Sequence, residues 1–219
     1  MTPAGIAPGL VAAAWALFGL GVGAAIRRAS VRLARLEELE PGARRWQVYG
    51  PVLLSAALFG LFGWRLGASP LLLIRSLWLA ILVQVVFFDF EHQLILDRVL
   101  LPAGVAALLL SAVTPGLGLL PALLTGLGAG LVFLAVAVVG SLVFRAEAMG
   151  LGDVKFSVFM GLILGPQPTV TAVVLGLFLA GLVAIGLVLL RLRRMRDSIP
   201  YGPFLAAGAL AVLYALGRQ

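Results

Sequence analysis

The stretch LLPALLTGLGAGLVFLAVAVVGSLV, residues 119–143, decides the fold class. It contains no charged side chain over its whole length, and roughly 20 consecutive apolar residues are enough for an α-helix to cross the hydrocarbon core of a bilayer. The remainder of the chain has the same character. Of 219 residues 62% are hydrophobic and 11% are charged, against about a quarter charged in soluble domains, and the mean hydropathy is +1.14. Lipid has to dissolve that excess. Helices are expected at 8–26, 50–67, 71–88, 98–114, 119–143, 154–166, 169–190 and 201–217, which makes an all-α polytopic bundle of about eight transmembrane helices in a single membrane domain, 1–219. The first apolar run has no basic residue before it and Arg27 and Arg28 after it, the reverse of a cleaved signal peptide, so it reads as a retained helix.

Short turns alternate with charged connectors. Gly67-Ala68-Ser69-Pro70, Thr114-Pro115-Gly116-Leu117-Gly118 and Gly165-Pro166-Gln167-Pro168 suit abrupt reversals, because proline ends a helix and glycine relaxes the backbone. Thirteen of the 16 basic residues fall in or beside the other connectors, leaving Arg65, Arg75 and Arg218 for the opposite face. Cytoplasmic loops carry the Lys/Arg excess, so connectors 27–49, 89–97, 144–153 and 191–200 are expected inside and both termini outside. The formal charge of +7 is thereby assigned to orientation in the membrane, with lipid as the partner and no nucleic acid. Connector 27–49, with Glu37, Glu38 and Glu40 among its arginines, suits a short surface helix.

The absence of cysteine excludes thiolate chemistry and disulfides in this chain, and the lone His92 beside Glu91 supplies too few ligands for a metal. Chemistry therefore falls to carboxylates. All nine acids lie on the expected cytoplasmic side, and two stand apart. Asp89 closes the apolar run Leu77–Phe88, while Asp153 opens another in Gly150-Leu151-Gly152-Asp153-Val154-Lys155. An ionisable group at the edge of the hydrocarbon is costly and is paired, functional or both. Two acids brought together cannot both ionise, so one holds a proton while the other acts as base on water, and the pair titrates as a unit. The alternative is a pair of exposed helix caps, and Asp153 has the look of an N-cap. Gly150 and Gly152 remove bulk beside the carboxylate and admit an extended peptide or another helix.

Two further classes stay open on the residues alone. A proton- or cation-coupled transporter would place its acids near the bilayer centre and show discontinuous helices. A non-catalytic assembly component would share the architecture without the reaction.

The segments Phe88-Asp89-Phe90-Glu91-His92-Gln93-Leu94-Ile95-Leu96-Asp97-Arg98-Val99-Leu100-Leu101-Pro102 and Gly150-Leu151-Gly152-Asp153-Val154-Lys155-Phe156, with Ile199-Pro200-Tyr201-Gly202-Pro203-Phe204-Leu205 before the last helix, resemble the type IV prepilin leader peptidases, membrane aspartyl proteases with a glycine-x-glycine-aspartate motif. The resemblance runs from about residue 50 onward. It implies that Asp89 and Asp153 are catalytic, that Asp97 is a secondary aspartate, that Gly150, Gly152, Lys155 and Glu91 support the site, and that no metal or cofactor serves proteolysis. It also implies prepilin-like precursors as substrates, cleaved at the cytoplasmic face of a bacterial inner membrane, with Glu91 and Glu147 steering the basic leader. Leu96 stands where the family usually has proline. Fuller members also methylate the new amine from S-adenosylmethionine and carry a cysteine-rich zinc domain in the first connector. Here that connector has no cysteine, and Gly23-Ala24-Ala25-Ile26-Arg27-Arg28 keeps little of the usual pattern. For two acids to share one water, the third and sixth helices are expected to be neighbours, with Gly150 and Gly152 facing the gap and Lys155 directed away towards water or headgroups.

Overall fold

The computed structural model describes residues 7–144, 149–191 and 200–217. Among these described residues eight helices follow in order: α1 Pro8–Leu36, α2 Arg45–Leu66, α3 Pro70–His92, α4 Asp97–Ser111, α5 Leu119–Phe144, α6 Leu151–Leu164, α7 Pro166–Leu189 and α8 Gly202–Leu216. Five of them, α1, α2, α3, α5 and α7, are long and apolar enough to cross a membrane. α4, α6 and α8 are 15, 14 and 15 residues long, so each rises only about 21–23 Å, less than a full hydrocarbon core. The expected reversals are present at Gly67, Gly116, Gly118 and Gly165, all at positive φ. Residues 1–93 with 213–219 form one compact unit and residues 94–212 a second.

In the first unit, α1 and α2 pack at backbone contact. A Cβ on Gly23 would lie 2.5 Å from the Pro51 carbonyl oxygen, and one on Gly19 would lie 2.7 Å from that of Ser55. Small residues of this kind let helices associate in lipid, where apolar side chains gain nothing by leaving the solvent. α1 runs ten residues beyond the expected end at 26, and the reason is its buried stripe. Ile26, Ser30 and Ala34 follow one another at four-residue spacing on the protected face, while Arg28, Arg32 and Arg35 are exposed. The basic residues are thus the solvated side of a helix, and the separate surface helix expected in 27–49 does not form.

α3 is the most enclosed span, with 67% of its apolar window buried against 17 to 33% for the other four. Three of its polar side chains, Arg75, Ser76 and Gln84, are satisfied across the unit. Trp15 Nε1 donates to Ser76 Oγ at 2.8 Å, Ser30 and Gln84 exchange hydrogen bonds of 3.2 and 3.0 Å, and the buried Arg75 donates to the Leu213 carbonyl. A buried polar group without such a partner would cost a few kcal/mol.

In the second unit, α6 crosses α5 as closely as α1 crosses α2: a Cβ on Gly161 would lie 2.6 Å from Gly126 Cα. α7 and the start of α8 repeat the arrangement, with Gly208 against the Ala172 carbonyl. α4 packs on α6, the helix that carries Asp153.

Candidate active site

Asp89 lies in the last turn of α3 and is 5% exposed. The helix does not close at this residue. It continues through Phe90, Glu91 and His92 and stops at Gln93, which takes the left-handed conformation and donates its N–H to the Asp89 carbonyl. The expected loop at Glu91-His92-Gln93 is therefore the end of a helix. Its continuation has a tertiary cause, since Glu91 is only 4% exposed at its side chain and meets Arg27 of α1 at 3.4 Å. The same carboxylate accepts from the Gly42 backbone N–H, and Arg27 also donates to the Gly42 carbonyl. Expected as a rim charge for a basic leader, Glu91 instead ties the α1–α2 connector to the helix end that carries Asp89. The His92 ring packs on Phe88 at a tilt of 50°, with ring centroids 4.7 Å apart. Glu91→Gln, which keeps the shape and removes the charge, is expected to lower the stability of the first unit by about 2 to 3 kcal/mol in thermal unfolding.

Asp153 occupies the third position of α6, with Gly150 as the N-cap residue. The N-cap role expected for the aspartate thus belongs to the glycine. Asp153 stands one residue ahead of the apolar run 154–166 and outside the five spans. Burial pushes its carboxyl up to about 6, opposed by a hydrogen bond from the Gly150 backbone. A carboxyl raised into this range exchanges its proton closer to neutral pH than an ordinary aspartate, as acid–base work requires.

Around this turn the second unit is specific. A Cβ on Gly152 would come within 3.1 Å of Ile95 Cβ, so the buried loop residue Ile95 packs directly on the glycine. Lys155, expected to point away to water or headgroups, has its ammonium 2.7 Å from both carboxylate oxygens of Asp97. Asp97 is the first residue of α4, with Leu96 as N-cap. Sequence reading missed this pairing because the two residues lie 58 positions apart. The signal available was that each belongs to one of the two motif segments, Asp97 to 88–102 and Lys155 to 150–156.

Asp89 belongs to the first unit and Asp153 to the second. Glu147, expected at the rim, lies outside the described residues, as do Asp197 and Arg194. Among the described residues no group of three or more metal-binding side chains gathers.

Residues 73–185 match the type IV leader peptidase family, a span that contains both aspartates and the Gly150–Lys155 segment. The prepilin leader peptidase/N-methyltransferase of Aeromonas hydrophila is 31% identical over 135 residues, covering 61% of this chain and 47% of that protein. The protein of the same name from Bacillus subtilis is 31% identical over 166 residues, 74% of this chain and 64% of that one, and the one from Pseudomonas putida is 32% identical over 172 residues, 75% and 56%. The chain spans about half the length of the Aeromonas relatives it matches. No solved structure matches it.

Proposed function

Because the chain belongs to the type IV leader peptidase family, we propose that it is a membrane aspartyl endopeptidase that removes the short basic leader from prepilin-like precursors at the cytoplasmic face of a bacterial inner membrane. The observation that carries this reading is the pair Asp89 and Gly150-Leu151-Gly152-Asp153, in the family's order and inside the matched span. In the reaction, one aspartate as carboxylate takes a proton from water, the water oxygen attacks the scissile carbonyl, and the protonated partner gives its proton towards the departing amine. This needs carboxyl oxygens within about 3 to 6 Å of one another in the active state. The precursor's apolar helix stays in lipid, so its leader junction arrives at the level of the acids.

The test is direct. Purified protein in liposomes is incubated with a prepilin, and the product is sized: a shortened precursor supports the reading, and an intact one at high enzyme excess refutes it. The relatives' names also carry N-methylation. For this chain that is a separate proposal, decided by whether the new N-terminus becomes one methyl group heavier when S-adenosylmethionine is supplied.

The orientation proposed with this activity puts positions 44 and 92 in the cytoplasm and 68, 115 and 166 outside, because the basic residues concentrate on alternate connectors. The native chain has no thiol to remove. A single cysteine introduced at Ala68 is expected to react with an impermeant maleimide only from the outer side, and reaction only from the cytoplasm would overturn the arrangement.

A further inference from the structure

Neither N-cap residue of α4 and α6, Leu96 or Gly150, can cap with its own side chain, and at α6 the side-chain hydrogen bond at the cap is the one Asp153 accepts from the Gly150 backbone. Helix starts left in this state fray, since their first backbone N–H groups have no partner within the helix. Two other contacts hold these starts. Ile95, 8% exposed, rests on the Cα of Gly152, where even a methyl group would be crowded. Lys155 reaches Asp97 with both carboxylate oxygens at 2.7 Å. Asp153 sits between the residues that make these contacts. Lys155 is two positions further along, about 200° around the helix, so its ammonium pulls on α6 from the side opposite Asp153. Its charge is committed to Asp97, which leaves the Asp153 carboxyl without a neutralising lysine.

We propose that the Asp97–Lys155 ion pair, with Ile95 seated on Gly152, is a clamp that positions Asp153, so that Asp97 and Lys155 are positioning residues of the site. The proposal rests on the peptidase reading for its consequence in catalysis and on the second unit alone for its geometry. Asp97 can therefore be replaced without removing a reacting group. Both side chains are about half exposed, at 51% for Asp97 and 43% for Lys155. Exposed pairs bias a local equilibrium by no more than about fivefold, which sets the size of the effect.

The experiment has two readouts on the full chain in liposomes. With Asp153→Cys as the reporter, the rate of alkylation by N-ethylmaleimide is expected to change by about three- to fivefold when Asp97→Asn or Lys155→Met is added, and to stay near the reporter's own rate with Lys155→Arg. On the native Asp153 background, Asp97→Asn and Lys155→Met are each expected to lower kcat about three- to fivefold with KM within about twofold, and the double variant is expected to be no slower than either single one. An unchanged alkylation rate overturns the clamp, as do kcat losses that multiply in the double variant. If alkylation shifts as expected while the parent chain cleaves no prepilin, the clamp stands and the peptidase reading falls.

Discussion

Replacing either Asp89 or Asp153 with Asn is expected to lower prepilin cleavage by at least about a thousandfold while the protein stays folded in the membrane. Asparagine keeps the shape of the side chain but neither accepts a proton from water nor gives one to the leaving amine, so the whole acid–base contribution is lost. Among the described residues the neighbouring acids of the two motifs are already engaged. Glu91 is held by Arg27 and the Gly42 backbone, Asp97 is held by Lys155, and no metal-binding group gathers among the described residues. Amounts matched by immunoblot, followed by product sizing over a wide range of enzyme, measure the loss. Cleavage within tenfold of the parent by either variant would remove that residue from the mechanism.

The second large effect concerns packing. Gly161→Val is expected to destabilise the second unit by about 3 kcal/mol, because the added Cβ would lie 2.6 to 2.8 Å from backbone atoms of Thr125 and Gly126. Backbone cannot rotate away as a side-chain tip can, so α6 has to separate from α5, and Asp153 moves with it. In a protein of this size such a loss corresponds to a fall in melting temperature of roughly 6 to 12 °C. Gly128→Ala on the exposed face of α5 is the control, since nothing lies within 4 Å of its Cβ, and it is expected to stay within about 0.5 kcal/mol of the parent. Melting of Gly161→Val together with Gly128→Ala would contradict the close crossing.

These contacts also mark where sequence reading succeeds and stops. The reversals at Gly67–Pro70 and Gly165–Pro168 were legible because proline and glycine act on the local backbone, and the long spans were legible because hydropathy is a local sum. The extension of α1 through Arg27, Arg28, Arg32 and Arg35 was not, since charges in a row resemble a connector unless the four-residue spacing of Ile26, Ser30 and Ala34 is weighed beside them. Asp89 and Asp153 could be singled out from their places at the edges of apolar runs. The engagements of Glu91 with Arg27 and of Lys155 with Asp97 could not, because each joins residues 64 and 58 positions apart and depends on how helices pack. A charged side chain therefore looked available in the sequence where the fold has already given it a partner.

The bond from Arg75 to the Leu213 carbonyl has a consequence in time. Its two residues are 138 positions apart, and at about 5 to 20 residues per second the ribosome needs roughly 7 to 28 s to make the acceptor after the donor. During that interval α1, α2 and α3 exist, yet the guanidinium on α3 lacks the carbonyl it will finally bind. A long arginine side chain can reach towards headgroups and water while it waits, and α3 is expected to settle fully only once residue 213 arrives. The first unit is thus begun early in synthesis and closed late, and pulse-labelled chains stopped before residue 213 should show α3 more accessible to protease than chains released beyond it.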